Sequence, residues 1–225
     1  MVRRAVESYR DLAAAYPGQF EFVLIDDHSD PALDPKEVAG VPELRLYRVE
    51  SDVSWNMAAA RNIGAKESRG AVLVLHDVDH VLRVAEAAQV IALAAALDPK
   101  ERIVFSRYTI GPAGERTPEK TPMNNFMIRR STFTEVGGYE EMFVGCYGYE
   151  DQFFKYCCAK HAVTWREGPP MELLHNAHTR DLSRDLSRNK ALFDWLVARE
   201  VSRAELTYLS SYAIAFGDSA TEDAV

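Results

Sequence analysis

The sequence is short of cysteine, of long apolar runs and of positive charge, and each shortage removes a class of function. Its 225 residues hold only Cys146, Cys157 and Cys158. An odd number, two of them adjacent, fits neither a disulfide framework nor zinc-ligand spacing, which implies a reducing, cytoplasmic setting. No apolar run approaches the ~20 residues that cross a bilayer, so no transmembrane segment is expected. The opening MVRRAVESYRDLAAAYPG lacks the apolar core of a secretory leader. Lysine and arginine number 26 against 34 acids, a formal charge of −8. That argues against a general nucleic-acid partner and leaves room only for a local basic patch. What remains is 47% hydrophobic and 27% charged, the composition of a globular chain able to bury a sizeable core.

The apolar positions follow two periods. Ala5, Val6, Tyr9, Leu12, Ala13 and Tyr16 recur at helical spacing until Pro17-Gly18 stops them. Residues 20–25 and 43–49 read as strands, 57–68 as a helix, 71–75 as a strand, 84–97 as a helix and 103–110 as a strand. This alternation predicts a parallel, helix-covered sheet. Residues 111–122, GPAGERTPEKTP, carry three prolines and two glycines and are expected as a loop. A strand follows at 125–128, helices near 132–136 and 151–160, and an edge strand at 163–167. A last long helix is expected from about 181, breaking near 201. The repeat RDLSRDLSR at 180–188 reads as an exposed helical face laced with Asp–Arg pairs. Residues 1–215 form one expected domain, and 216–225 a flexible tail.

Four stretches carry possible chemistry. LVLHDVDH, residues 73–80, ends a strand in Asp77 and Asp79, which alternation points the same way. Like charges this close repel unless a cation relieves them, and carboxylates suit Mg²⁺ or Mn²⁺. A polar turn at a strand end is the plainer reading. His175 and His178, in HNAH, can meet one metal or can be ordinary loop histidines; with the two acids they form a mixed set suited to Mn²⁺. His76 and His80 read as structural or supporting residues. Glu150 and Asp151 open a helix after Gly145-Cys146-Tyr147-Gly148-Tyr149. Acids there are favoured by the helix dipole, but the tyrosines and glycines beside them also suit a sugar ring. Arg61, in NMAAARNIG, is either a surface arginine or one that reaches a nucleotide from near Asp26 and Asp27.

Taken in order, FVLIDDHSD, WNMAAARNIGAKESRGAVLVLHDVDH, NNFMIRRSTFTEVGGYEEMF and GYEDQFF resemble a GT-A-fold glycosyltransferase of the large family 2 type. The later half is similar to the C-terminal part of the β-1,4-galactosyltransferases. The resemblance spans about residues 20–190. It implies a Rossmann-like α/β fold with a mixed, mostly parallel sheet that lacks the family's usual first strand. A nucleotide-binding half would cover 1–110, and an acceptor and metal-completing half 123–190. It implies a nucleotide-sugar donor, a UDP-sugar, and a glycan or other hydroxyl acceptor. Asp27, Asp26, Arg61 and Asp77 would contact the nucleotide. Asp79, with Asp77, His175 and His178, would hold Mn²⁺ or Mg²⁺. Tyr147, Gly148 and Tyr149 would meet the acceptor, and Glu150 and Asp151 would be the catalytic acids, Asp151 as base. Tyr147 stands where the family usually has tryptophan, and Gln152 where a further acid is usual. The implied activity is inverting, metal-dependent hexosyl transfer. A non-catalytic sugar or nucleotide binder is the alternative, and a metal phosphohydrolase using His76, Asp77, His175 and His178 a more distant one.

Overall fold

The computed structural model describes residues 1–174, 183–207 and 210–217. The first helix, α1 (Val2–Ala15), buries Ala5, Val6, Tyr9 and Leu12 on one stripe. It packs on a three-stranded sheet built from β1 (Phe22–Asp26), β2 (Leu44–Val49) and β9 (Tyr212–Phe216), in the order β1-β2-β9. A short helix, α2 (Pro35–Val38), links β1 to β2, capped by the Asp34 side chain on the Lys36 amide.

Helix α3 (Met57–Glu67) then leads into a second sheet of six strands. Its members are β3 (Val72–Leu75), β4 (His80–Val81), β5 (Glu101–Ile110), β6 (Arg116–Glu119), β7 (Phe126–Arg129) and β8 (Thr164–Leu173), ordered β3-β7-β5-β8-β4 with β6 on β5. Helices α4 (Val84–Ala95), α5 (Arg130–Glu135), α6 (Glu150–Lys160) and α7 (Ser187–Ala198) complete the described elements, with a 3-10 turn over Glu141–Phe143.

Two features correct the expectation. Only β1 with β2 and β5 with β8 pair in parallel; the other described pairings are antiparallel, so the sheets are mixed rather than mostly parallel. The stretch expected as a loop contains β6, a hairpin arm on the end of β5, closed by Gly114 at φ +82. The described residues of the 180–188 repeat also differ, because the helix begins only at Ser187. β8 is longer than the edge strand expected at 163–167, since Gly168-Pro169-Pro170 continues it rather than ending it.

Among the described residues, β1 pairs only with β2, and β3 only with β7. Between them lies a slot of about 100 Å³ lined by Phe22, Val23 and Leu24 on one side and Val74 and His76 on the other. Tyr9 of α1 covers it, stacking on Phe22 at 4.7 Å and meeting the His76 ring edge-on at 6.4 Å.

Two apolar cores flank the second sheet. One packs α1 and α4 on one face. The other is aromatic: Tyr139 stacks on Phe154 at 4.7 Å, and Phe154 on Phe126 at 5.2 Å. Burying such a ring contributes about 1.5–3 kcal/mol. The stack also fixes the Tyr139 hydroxyl that enters the site below.

Candidate active site

Three chain segments converge at the C-terminal ends of β1 and β3, where open α/β sheets place their ligands. From β1, the buried Asp26 accepts from the amides of Ser29 at 2.9 Å and Leu33 at 3.2 Å, and from Arg48. Burial raises its pKa, but these bonds outweigh burial and hold the carboxyl below its usual range. Its work in this structure is to fold the 27–33 loop. Its neighbour Asp27 is half-buried and accepts from the Asn56 amide at 2.9 Å. Asn56, fully enclosed at the start of α3, carries no local sequence signal of this role.

Arg61 is not a surface residue. It is 7% exposed, and its guanidinium lies between the two acidic segments. It donates to Asp77 at 2.6 Å, to Tyr139 Oη at 3.3 Å and to the Asn124 carbonyl. Burial disfavours its charge, yet Tyr139, Asp77 and Asp151 more than compensate and raise its pKa further. Asn62 beside it is also buried and ties α3 to the Tyr139 backbone and to Glu141, each at 2.8 Å.

Asp77 therefore has both oxygens occupied, one by Arg61 and the other by the Asn124 amide at 2.6 Å. Burial opposes its ionisation, but Arg61 prevails and the carboxyl sits below the usual range. The Asp79 Oδ1 meets His80 Nδ1 at 2.6 Å. Asp77, Asp79 and His80 each offer a ligand atom, all within 4.8 Å of one another. Two carboxylates and an imidazole fit Mn²⁺ or Mg²⁺ chemistry. As placed, His80 orients the Asp79 carboxylate, a supporting part common beside metals. His76 stands apart in the slot between β1 and β3, where burial lowers its pKa. His175 and His178 lie outside the described residues. The chain leading to them ends beside the acids, because the Leu174 amide donates to the Asp79 carbonyl at 2.6 Å.

Glu150 and Asp151 begin α6. Asp151 accepts from Tyr139 Oη at 2.9 Å. Its pKa is raised because burial exceeds the help from Arg61 and Tyr139. Tyr139 is itself raised well above its ordinary value, by burial and then by Asp151, so it remains the donor. Glu150 is buried at 3% exposure, and burial raises its pKa. Its Oε1 accepts from Trp55 Nε1 at 2.8 Å, across 95 residues of sequence. Glu150 thus ties the loop before α3 to the start of α6, while Asp151 faces the Arg61 cluster.

Trp55 also packs edge-on against Tyr147 at 4.8 Å, with Arg184 over that ring at 5.4 Å. Tyr149 instead packs against Phe193 of α7 at 5.4 Å and takes a left-handed φ of +72. Gly148 requires glycine because its φ is +89. The loop hangs on Asn189, a fully buried residue of α7. Its amide donates to the carbonyls of Phe143 at 3.1 Å, Cys146 at 2.7 Å and Gly148 at 2.8 Å. Nothing local in the sequence marks Trp55, Asn124 or Asn189, since each acts on a partner far along the chain.

Comparisons with known proteins bear on the family and the fold. No curated protein matches in sequence. The chain is similar in structure to GalNAc-T7, crystallised with UDP, GalNAc and Mn²⁺, at a TM-score of 0.57 and 18% identity. The match covers 82% of this chain and 45% of that one, so this chain spans about half the length of that relative. The fold is accordingly the GT-A fold. A model of glycosyl transferase family 2 matches residues 1–150, two thirds of the 225 residues, and the chain belongs to that family.

Proposed function

We propose that this chain is a metal-dependent, inverting glycosyltransferase that moves a hexose from a UDP-sugar to a hydroxyl of a glycan or similar acceptor. The observation that carries the reading is the Arg61 cluster. It brings the Asp77–Asp79 segment and Asp151 into one site through bonds of 2.6 Å from Arg61 to Asp77 and 2.9 Å from Tyr139 to Asp151. Residues 1–110 supply the donor half and 123–190 the acceptor half of a single domain. Asp27 and Asn56 meet the nucleoside, and Asp26 shapes the loop that carries them. Asp79, oriented by His80, would be the principal ligand for Mn²⁺ or Mg²⁺, with Asp77 beside it; His175 and His178, which follow Leu174 in the sequence, are the further candidate ligands. The cation supplies charge neutralisation on the departing diphosphate.

Asp151 is the base. Its raised pKa suits proton removal from an acceptor hydroxyl, since a carboxylate held nearer to neutral pH is a stronger base. Arg61 opposes the rise that burial causes, and Tyr139 fixes its orientation. Attack from the Asp151 face, opposite the diphosphate, inverts the anomeric centre. Tyr147 and Trp55 offer a sugar-sized aromatic edge, and Glu150 acts by positioning Trp55. GalNAc-T7, with UDP, GalNAc and Mn²⁺ in its structure, supports UDP and Mn²⁺ as the first donor nucleotide and cation to try. The test is a panel of UDP-hexoses with Mn²⁺ and glycan acceptors, followed by proton NMR of the product. A product with inverted anomeric configuration is expected. A retained configuration would contradict the role given to Asp151.

A further inference from the structure

A groove of about 710 Å³ opens between the last turn of α3, the start of β3 and α5. It lies at the end of β3 opposite to Asp77 and Asp79, and shares no residue with the site above. Arg129, Arg130 and Arg203 line it together with Lys66. The three arginines form no ion pair among the described residues. Arg129 donates to the Leu97 carbonyl at 2.7 Å, Arg130 to Ser68 at 2.9 Å, and Arg203 to Glu135 and Thr134 carbonyls at 3.0 and 3.3 Å. Carbonyls fix these guanidinium groups without neutralising them, and each has five N–H donors in all. The one acid among the lining residues, Glu135, is already engaged by Lys100 at 2.7 Å and lies 3.6 Å from His161.

The wall carrying Arg203 is firmly held. The Ala204 amide donates to the Val136 carbonyl at 3.3 Å, and the Glu205 amide to Glu140 at 3.2 Å. Gly137, at φ +87, lies so close to the Ala204 backbone that an added Cβ would collide with it. Gathering uncompensated guanidinium groups around one concavity costs electrostatic energy that an anion relieves, and it stands out in a chain of net charge −8. Guanidinium forks beside the Ser131 hydroxyl match tetrahedral phosphate oxygens. The volume falls in the range of small-ligand sites.

We propose that this groove binds a phosphate-bearing ligand, independently of the nucleotide-sugar site, with Arg129, Arg130 and Arg203 as its anion contacts. A soluble phosphorylated molecule and a phospholipid headgroup present the same chemistry, and two arms of one experiment separate them. In an Asp79→Ala background with EDTA, inorganic pyrophosphate is titrated by calorimetry. In parallel, the protein is sedimented with phosphatidylglycerol–phosphatidylcholine vesicles and with phosphatidylcholine alone. Each arm is repeated with Arg130→Ala/Arg203→Ala, and with Arg130→Gln as a milder change that guards against misfolding. The expected result is salt-sensitive binding in one arm, weakened at least tenfold by the double variant and less by the single one. Pyrophosphate binding identifies a soluble ligand, and binding to the anionic vesicles alone identifies the headgroup. No binding in either arm, or binding that the arginine variants leave unchanged, overturns the proposal.

Discussion

Replacing Asp151 by asparagine should abolish transfer while making the protein more stable at neutral pH. The side chain keeps its shape, and its Oδ1 still accepts from Tyr139 Oη, 2.9 Å away in the parent, so little packing is lost. What changes is charge. Burial raises the Asp151 pKa above its unfolded value of 3.8 despite Arg61 and Tyr139. For an acid whose pKa rises on folding, the folded state holds the proton over a range where the unfolded state has released it. Stability therefore falls as pH rises from below the unfolded pKa through the folded one, and above both the full penalty is present. A tenfold change in proton affinity between the two states is worth about 1.4 kcal/mol, and 1 kcal/mol moves the Tm of a domain this size by about 2–4 °C. Asparagine removes that penalty. The variant should melt above the parent at pH 7.5, with the difference shrinking as pH is lowered toward 4. Loss of a general base should reduce kcat by about 10²–10⁴-fold. Thermal melts across pH 4–8 and initial rates at saturating donor read both effects. A variant that is less stable at pH 7.5, or that keeps its rate, would refute the assignment of Asp151 as a buried base.

Other outcomes follow from the same geometry. Asn189→Ala leaves the carbonyls of Phe143, Cys146 and Gly148 without their shared donor; it should cost about 1–3 kcal/mol in denaturant melts, raise acceptor KM and lower kcat, and leave donor affinity unchanged. Gly148→Ala meets the left-handed φ, and should destabilise by about 1–3 kcal/mol with loss of transfer. Trp55→Phe keeps the ring but removes the bond to Glu150; a rise in acceptor KM with unchanged UDP binding is expected from steady-state kinetics.

The motifs after β1 and β3 are legible in the sequence because they are local. A strand that ends in acids can be read from eight residues, and the order of several such motifs points to the family. The partners of those motifs are not legible. Trp55 and Glu150 meet across 95 residues, and nothing near either predicts the other. Arg61 reads equally well as a surface side chain, and only the fold turns it inward toward Tyr139 and Asp77. Asp26 and Asp27 are indistinguishable as letters, yet one is enclosed by its own loop and the other reaches across to Asn56. Composition misleads in two places. Prolines and charges conceal β6, which forms because Arg107–Ile110 offers a free ladder edge, and Pro169-Pro170 conceals the second half of β8. β9 escapes a local reading because its partner, β2, lies far back in the sequence. No described helix is long and apolar enough to cross a membrane.

The most direct test of the central claim is calorimetry of UDP with Mn²⁺ and with EDTA, on the parent and on Asp79→Ala. The Asp79 side chain is about one-third exposed, so its removal should leave the fold intact in a thermal melt. UDP should bind the parent only with the metal, and Asp79→Ala should lose at least tenfold in affinity. Binding that survives EDTA and the substitution alike, or no UDP binding under any condition, would contradict a metal-dependent donor site at the ends of β1 and β3.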